Sequence, residues 1–347
     1  MPRRLKFSLS LVAVIALIAL VIGVVAGRAS SGSTGGGGGS GGGAGALAGK
    51  KIDVIVKATN SQFWQTSFAG AKRAAGDTGT VVSLFGPTAE SDVDGQVQLV
   101  ENSISRGVQA IVLAPNSNNG LNTVIERARQ AGIKVVTIDG RPTTEIDGFI
   151  GTDNGKAGQQ GAQRLCDLTK ARGVTGGNVL LESSQAGVDA LTARDNGFTA
   201  GLATYCPQLK VSQTRYNGND SNTAASQVND AITADPSLVG VFADNNVSGT
   251  GAARAIKDNN AAGRIPVVAY DADPPEIAAL KDGTIDVLIV QNPYFFGYQG
   301  VVEAASAAAG TLQPEALDPG AALIEQGNMN EPRMQALLNP PTERATG

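Results

Sequence analysis

The stretch Ile52–Trp64, IDVIVKATNSQFW, decides the fold class because it joins a short apolar run to a polar and aromatic segment. The run Ile52–Lys57 is almost continuously apolar and β-branched, which is typical of a strand buried on both faces of a parallel sheet. Residues 65–78, which follow, have the length and composition of a helix. The stretch therefore predicts a strand–helix unit with polar and aromatic residues between the two elements.

The same alternation continues to residue 309, with ten strand candidates and nine helix candidates. Such alternation produces right-handed βαβ units with helices on both faces of the sheet. The rhythm restarts after Gly151, and ten strands are many for one small sheet. We therefore predict an α/β fold of two doubly wound parallel-sheet lobes, with the chain crossing between them near Thr152.

Polar and aromatic side chains follow six of the predicted strands. Ligands of open α/β sheets bind beyond the carboxyl ends of the strands, so these residues form the candidate site. Carboxylates and amides bond vicinal hydroxyls, arginine donates several bonds in a plane, and aromatic rings cover the C–H faces of a sugar, so the set suits a polyol. The strand-end residues are Lys57, Ser61, Phe63, Trp64, Asp139, Arg141, Asp153, Asn154, Asp244, Asn245, Tyr270, Asp271, Gln291 and Asn292.

The composition excludes several classes of function. The 347 residues include 27 Lys and Arg against 31 Asp and Glu, a net charge of −4, so no footprint for nucleic acid or anionic lipid is expected. Histidine is absent, which rules out the Ser-His-Asp triad, the Cys-His dyad and histidine metal sites. Two cysteines cannot form a zinc site alone. We therefore expect no metal, no cofactor and no catalytic residue.

The N-terminus has the layout of an export segment. Residues 1–6 are basic and an apolar run from Phe7 to Ala26 follows, 20 residues that suit either a cleaved signal or a membrane anchor. We assign residues 1–29 to this segment and leave the two alternatives open. Residues 30–49 are almost entirely Gly and Ser and predict a flexible tether. Both alternatives place the body outside the cytoplasm, in the periplasm or at the cell surface.

The body resembles the ribose-binding-protein family, the sugar-binding group of type I periplasmic binding proteins that serve ATP-driven importers. The order and spacing of eight segments carry the resemblance, which covers nearly all of residues 51–325. They are VIVKATNSQFW (54–64), RGVQAIVLAP (106–115), AGIKVVTIDGR (131–141), IGTDN (150–154), ALTARDNGF (190–198), VGVFADNN (239–246), VVAYDADP (267–274) and LIVQNP (288–293).

The resemblance implies two further crossovers, near Gln291–Asn292 and near Leu317–Gly320, and so a hinge of three segments. Lobe one would comprise residues 51–151 and 293–317, and lobe two residues 152–291 and 318–330. Residues 331–347 would form a C-terminal tail. Because the polar set divides between the lobes, a bound ligand would close them like a hinge.

The resemblance also implies individual ligand contacts. The family often has an arginine directly after the aspartate of the fourth strand, whereas here Gly140 stands at that position and Arg141 follows. Where the family contributes another aromatic ring, this chain has Asn219 or Asp220. The expected ligand-binding residues are Lys57, Ser61, Phe63, Trp64, Asp139, Arg141, Arg194, Asn219, Asn245, Tyr270, Asp271 and Gln291.

The function that the resemblance implies is capture of a monosaccharide or related polyol for the membrane permease of an ABC importer. A receptor that presents its ligand to a membrane sensor remains an alternative, and a glycoside-processing enzyme is a further one. We expect a monomer that does not bind nucleic acid. The sequence leaves open which sugar is bound.

Cys166 and Cys206 form a candidate disulfide. Both lie near the ends of predicted helices of the second lobe, and neighbouring crossover helices can bring two cysteines within reach of one another. An exported protein meets an oxidising compartment that preserves such a bond. Two separate buried thiols are the alternative.

Overall fold

The computed structural model describes residues 42–311 and 316–341. The predicted export segment, residues 1–29, and most of the predicted tether lie outside this range. Within it, no helix combines the length and the apolar character that a membrane span requires. The last part of the predicted tether is not coil: it forms helix α1 (Gly42–Leu47), whose Leu47 side chain packs into the first-lobe core.

Six parallel strands form the first sheet. They are β1 (Lys51–Ile55), β2 (Val81–Phe85), β3 (Ala110–Leu113), β4 (Lys134–Ile138), β5 (Gly148–Ile150) and β11 (Ala316–Leu317). Their order in space is β11–β5–β4–β3–β1–β2. The strands β1, β3 and β4 are buried over nearly their whole length, as expected for a sheet covered on both faces.

The second sheet repeats this plan. Its strands are β6 (Gly177–Ser183), β7 (Leu209–Tyr216), β8 (Leu238–Ala243), β9 (Val267–Tyr270), β10 (Val287–Val290) and β12 (Ala322–Ile324). Their order is β12–β10–β9–β8–β6–β7, which matches the first sheet strand for strand. Only β12 runs antiparallel to its neighbour, because the chain re-enters this lobe at the end where β10 leaves it.

Ten further helices cover the two sheets. They are α2 (Gln62–Thr78), α3 (Val93–Arg106), α4 (Asn122–Gln130), α5 (Asn154–Ala171), α6 (Asp189–Tyr205), α7 (Ser221–Ala234), α8 (Asn246–Asp258), α9 (Pro274–Asp282), α10 (Pro293–Ala309) and α11 (Pro332–Leu338). Four apolar clusters lie between helices and sheets, one on each face of each sheet.

The chain passes between the sheets three times, over residues 151–153, 291–292 and 318–321. The predicted fold class, two doubly wound lobes joined by three crossovers, is confirmed. The strands β11 and β12 are not among the ten predicted, because both lie after residue 309, where the alternation of strands and helices ends. Part of the predicted C-terminal tail is helix α11, which is held by Leu338 in the second-lobe core.

Two pairs of helices pack closely and set the position of the cleft. A side chain at Gly70 of α2 or at Gly297 of α10 would meet the backbone of the partner helix. In the second lobe Gly158 of α5 and Gly197 of α6 play the same part. Glycine at these positions lets the helices approach, and so fixes α2 and α6, whose first turns face the cleft.

The predicted disulfide is present. Cys166 lies on α5 and Cys206 at the end of α6, with their Cα atoms 5.8 Å apart. This separation is in the usual range for a disulfide. The bond joins the last third of α5 to the C-terminal end of α6.

Candidate functional site

A small cavity lies where the carboxyl ends of the two sheets face each other. Its volume is about 30 Å³, which is room for about one water molecule. Both lobes contribute to its wall, mainly through charged, amide and aromatic side chains. The lining residues are Lys57, Ser61, Phe63, Trp64, Glu90, Asp139, Ala190, Leu191, Arg194, Asn245, Asn246, Asp271 and Gln291.

Two wider grooves adjoin this cavity. One, of about 660 Å³, reaches towards residues 337–340 and shares Phe63, Asp271 and Gln291 with the cavity. The other, of about 430 Å³, opens at the end of the cleft far from the crossovers and shares Glu90. Proline and aliphatic residues make up much of the larger groove, whereas the charged groups of both lobes converge in the small cavity. We therefore take the small cavity as the functional site.

Lys57 and Asp139 form a buried ion pair on the first-lobe side. The Lys57 Nζ atom lies 2.6 Å from Oδ2 of Asp139, and the two side chains are 6% and 5% exposed. The same ammonium lies 5.7 Å from the ring centroid of Trp64. The pair thus places one donor and one acceptor at the floor of the cavity.

Asp139 and Asp271 occupy equivalent positions in the two lobes. Each directly follows its strand, β4 or β9, and each has a positive φ, 64° and 74°. Their backbone N–H groups donate to the neighbouring strand, at Ile150 O (2.9 Å) and Ile289 O (3.0 Å). Few residues other than glycine adopt this conformation, and its retention in both lobes is typical of a functional site.

Arg194 of α6 is the buried cation of the second lobe, with a side chain 4% exposed. Its Nε donates to Asn154 Oδ1 at 2.8 Å and its Nη1 donates to the Asp244 carbonyl at 2.7 Å. The guanidinium lies 4.1 Å from the ring centroid of Tyr270. Across the cleft, Nη2 lies 3.9 Å from Oδ1 of Asp139. Neutral partners therefore orient the guanidinium, while its remaining donors face the cavity.

A buried network supports Arg194 from behind. Ser183 Oγ lies 2.6 Å from Asp244 Oδ2 and 2.9 Å from Asp195 Oδ2. A hydroxyl has one proton, so one of these carboxyls must itself be protonated to satisfy both contacts. Burial raises the pKa of both carboxyls, which favours that shared proton. The network fixes Asp244, whose carbonyl accepts from Arg194.

Asp271 is 6% exposed and accepts a hydrogen bond from Gln291 Nε2 at 2.9 Å. Burial raises the pKa of Asp271 to about 7, and the nearby Arg194 guanidinium and the Gln291 amide limit the rise. The Gln291 Oε1 atom is buried and has no hydrogen-bond partner in the described residues. Both side chains therefore retain acceptor capacity towards the cavity.

Two amides complete the second-lobe wall. Asn245 caps helix α8, where its Oδ1 accepts from Ser248 N at 2.9 Å. Asn246 Nδ2 donates to Asp273 Oδ2 at 2.8 Å and lies 3.4 Å from Ser61 Oγ of the first lobe. The Asn246–Ser61 contact therefore joins the two lobes.

Two aromatic rings at the start of α2 form the apolar wall. Phe63 and Trp64 pack edge to face, with centroids 4.8 Å apart and an interplanar angle of 78°. They are 9% and 2% exposed. The Trp64 indole Nε1 donates to Glu90 Oε1 at 2.7 Å, which fixes the orientation of the ring.

Comparison with known proteins assigns this arrangement to a family. The model of the periplasmic binding protein domain matches residues 52–312. The chain belongs to this family. A carbohydrate-transporter solute-binding protein from Agrobacterium radiobacter, solved in complex with D-arabinose, is similar in structure. It is 34% identical, with a TM-score of 0.82, over 84% of this chain and 99% of that one.

Two further relatives agree with the assignment. A solute-binding protein of an ABC transporter from Agrobacterium vitis, solved with bound D-fucose, is 31% identical with a TM-score of 0.78 over 83% of this chain and 99% of that one. The D-allose-binding periplasmic protein of Escherichia coli is 25% identical over 74% of this chain and 84% of its own length. The expected resemblance to sugar-binding periplasmic binding proteins is confirmed.

The structure brings most of the predicted site residues of this family member together. Nine of the twelve line the cavity: Lys57, Ser61, Phe63, Trp64, Asp139, Arg194, Asn245, Asp271 and Gln291. Their convergence follows from the parallel topology, which puts the carboxyl ends of all these strands at one edge. Whether each contacts a ligand stays a prediction.

The other three predicted residues do not line the cavity. Arg141 is exposed, with its guanidinium 4.4 Å from the ring centroid of Phe149, because the intervening Gly140 moves it one residue beyond the strand end. Tyr270 is the last residue of β9 and is fully buried beneath Arg194. Asn219 stands behind Asn245, whose Nδ2 donates to Asn219 Oδ1 at 2.8 Å.

Four lining residues were missed by the sequence prediction: Glu90, Ala190, Leu191 and Asn246. Glu90 follows β2, so the strand-end rule could have found it had the rule been applied to that strand. Asn246 directly follows the predicted Asn245. Ala190 and Leu191 carry no polar group and give no signal of a binding role in the sequence.

Proposed function

We propose that this protein captures a monosaccharide or related polyol between its two lobes and delivers it to the permease of an ABC importer. The observation that carries the proposal is the cavity itself, in which Lys57, Asp139, Arg194 and Asp271 meet from opposite lobes. Fixed cations and carboxylates, with amides between them, supply the alternating donors and acceptors that vicinal hydroxyls require. The relatives, solved with D-arabinose and D-fucose, support this ligand class.

The aromatic wall supports a sugar in particular. The rings of Phe63 and Trp64 offer apolar surface beside the ion pair of Lys57 and Asp139. A pyranose has polar edges and C–H faces, so it needs both kinds of surface at once. Because the carboxyls are engaged with amide and cationic partners, we infer that they hold hydroxyls and do not cleave a bond.

The lobes must separate for such a ligand to enter. A cavity of about 30 Å³ is far smaller than the roughly 300–1,000 Å³ of small-molecule sites. Contacts between Arg194 and Asp139 and between Asn246 and Ser61 span the cleft. Only a ligand that touches both lobes has a higher affinity for the closed form, so binding would drive closure about the three crossover segments.

This role belongs outside the cytoplasm, as the relatives' periplasmic designation implies. We propose that residues 1–29 deliver the protein there, either as a cleaved signal or as an anchor that keeps the body near its permease. We further propose that it acts as a monomer, since each cleft is complete within one chain.

The test is a binding screen of the full-length protein with D-arabinose, D-fucose, D-tagatose and D-allose. A sugar at about 100-fold its Kd should stabilise the protein by about 2.7 kcal/mol, which a thermal melt detects. Small-angle scattering with the same sugar should show a smaller radius of gyration than without it. Absence of binding to all four sugars, measured by calorimetry, would refute the proposal.

A further inference from the structure

Glu90 is a cavity residue with an unusual position. It lies between β2 and α3, in a turn closed by the hydrogen bond from Asp92 N to Ala89 O at 3.1 Å. Its side chain borders both the small cavity and the outer groove at the far end of the cleft. The residue is therefore placed where one edge of a bound ligand would face the first lobe.

The carboxylate of Glu90 is paired with a neutral group. Its Oε1 accepts from Trp64 Nε1 at 2.7 Å, and no Lys or Arg of the described residues comes within ion-pair distance of it. Burial raises the pKa of Glu90, while Lys57 and the Trp64 N–H oppose the rise. A half-buried carboxyl with a single indole partner has unused acceptor capacity.

The cavity holds more acidic than basic side chains, which bears on the unused acceptor oxygen of Glu90. Two cations, Lys57 and Arg194, face three carboxyls, Glu90, Asp139 and Asp271. The Lys57 Nζ atom is paired with Asp139 at 2.6 Å. Within the described residues, the ion-pair partner of Arg194 is also Asp139. Glu90 therefore keeps one acceptor oxygen, Oε2, that no side chain of the described residues occupies, beside a cavity that both lobes line.

We propose that Glu90 determines sugar specificity by accepting a hydrogen bond from one hydroxyl of the bound ligand. The inference rests on the proposed sugar-binding function and names a residue of that same site. The hydroxyl donates to the carboxyl oxygen that Trp64 leaves unused, so the indole and the ligand share one acceptor group. Such charge-assisted bonds are stronger than those between neutral groups and depend on where the hydroxyl stands.

The substitution Glu90→Gln tests the proposal with little change of shape. Glutamine keeps an oxygen that can accept from the Trp64 indole, but it removes the charge and replaces one acceptor by a donor. Affinity for whichever of D-arabinose, D-fucose, D-tagatose and D-allose binds the wild-type protein should fall at least tenfold. Glu126→Gln is the matched control, because Glu126 is exposed on α4 and its contact with Thr144 survives the change.

A second comparison separates contact with the ligand from positioning of Trp64. If Glu90 binds the sugar, Glu90→Gln should lower the affinity for the sugar by a similar factor in wild-type protein and in Trp64→Phe protein. The Trp64→Phe protein lacks the indole N–H. Among the monodeoxy forms of the bound sugar, one should bind wild-type protein about tenfold more weakly than the parent sugar does. The Glu90→Gln variant should bind that deoxy sugar and its parent with equal affinity.

Three results would overturn the inference. Affinity of Glu90→Gln within threefold of wild type would show that the carboxylate makes no specific contact. Disappearance of the Glu90→Gln effect in the Trp64→Phe background would show that Glu90 only orients the ring. Failure of all four sugars to bind wild-type protein would remove the proposed function, and this inference with it, whereas the first two results would leave the proposed function intact.

Discussion

Replacement of Arg194 by methionine should abolish tight sugar binding while leaving the lobes folded. Methionine preserves much of the aliphatic stem but removes the guanidinium. In the structure that group donates to Asn154 and to the Asp244 carbonyl and lies 3.9 Å from Asp139 across the cleft. Its loss would leave Asp139 and Asp271 with less positive charge nearby, in a site where both are nearly inaccessible to solvent.

The magnitude follows from the burial. Each hydrogen bond between a charged group and a neutral one contributes about 1.5–3 kcal/mol, so the loss of the guanidinium donors should raise Kd by at least about tenfold. The free energy of unfolding should also fall, by about 3–5 kcal/mol, because the buried carboxyls of Asp139 and Asp271 lose their nearby cation and two acceptors lose their donor.

Calorimetric titration with the sugar found in the screen measures the affinity, and urea unfolding measures the stability. The comparison variant is Arg141→Met, which removes an exposed guanidinium that stacks on Phe149 outside the cavity. Its Kd should stay within threefold of the wild-type value. A folded Arg194→Met protein with the wild-type Kd would refute the assignment of Arg194 to the site, and a large loss in Arg141→Met would refute the placement of Arg141 outside it.

Three further predictions follow from the same contacts. Burial raises the pKa of Glu182 to about 8, so the folded state holds a proton that the unfolded state releases. Stability should then fall by up to about 1.4 kcal/mol per pH unit from this group as pH rises from about 4.5 to 8. Urea unfolding of Glu182→Gln should show a shallower decline, and an unchanged slope would contradict this. Reduction of the Cys166–Cys206 bond, which closes a loop of 40 residues, should lower the unfolding free energy by about 3–4 kcal/mol; equal urea midpoints with and without reductant would count against it. Trp64 is the single tryptophan of the chain and lines the cavity, so its fluorescence should change on sugar binding, and a constant spectrum at saturation would place the ring away from the ligand.

The two lobes form their halves of the site with the same two structural features. In each sheet the fourth strand is followed directly by an aspartate with positive φ, whose backbone N–H donates to the neighbouring strand. In each lobe a closely packed helix pair presents its cleft-facing helix, α2 with Trp64 or α6 with Arg194. The lobes differ in what they offer, because the first supplies the rings and the second supplies Arg194 and the amides.

The sequence by itself determined the fold class and most of the site. Continuous apolar runs alternating with helical segments specify buried parallel strands, and parallel topology brings every strand end to one edge. Lys57, Asp139 and Asp271 could therefore be predicted from their positions at the carboxyl ends of strands. The disulfide between Cys166 and Cys206 could also be anticipated, since the helices that carry the two cysteines are consecutive in the chain.

Only the tertiary structure decided which strand-end side chains reach the cavity. One inserted residue, Gly140, sends Arg141 to the surface, and the last position of β9 buries Tyr270 in the core beneath Arg194. Glu90 enters the wall because the indole of Trp64, 26 residues earlier, donates to it. The direction of a side chain depends on the backbone angles of its own loop and on packing against distant residues, and neither is encoded in the local periodicity from which strands and helices are predicted.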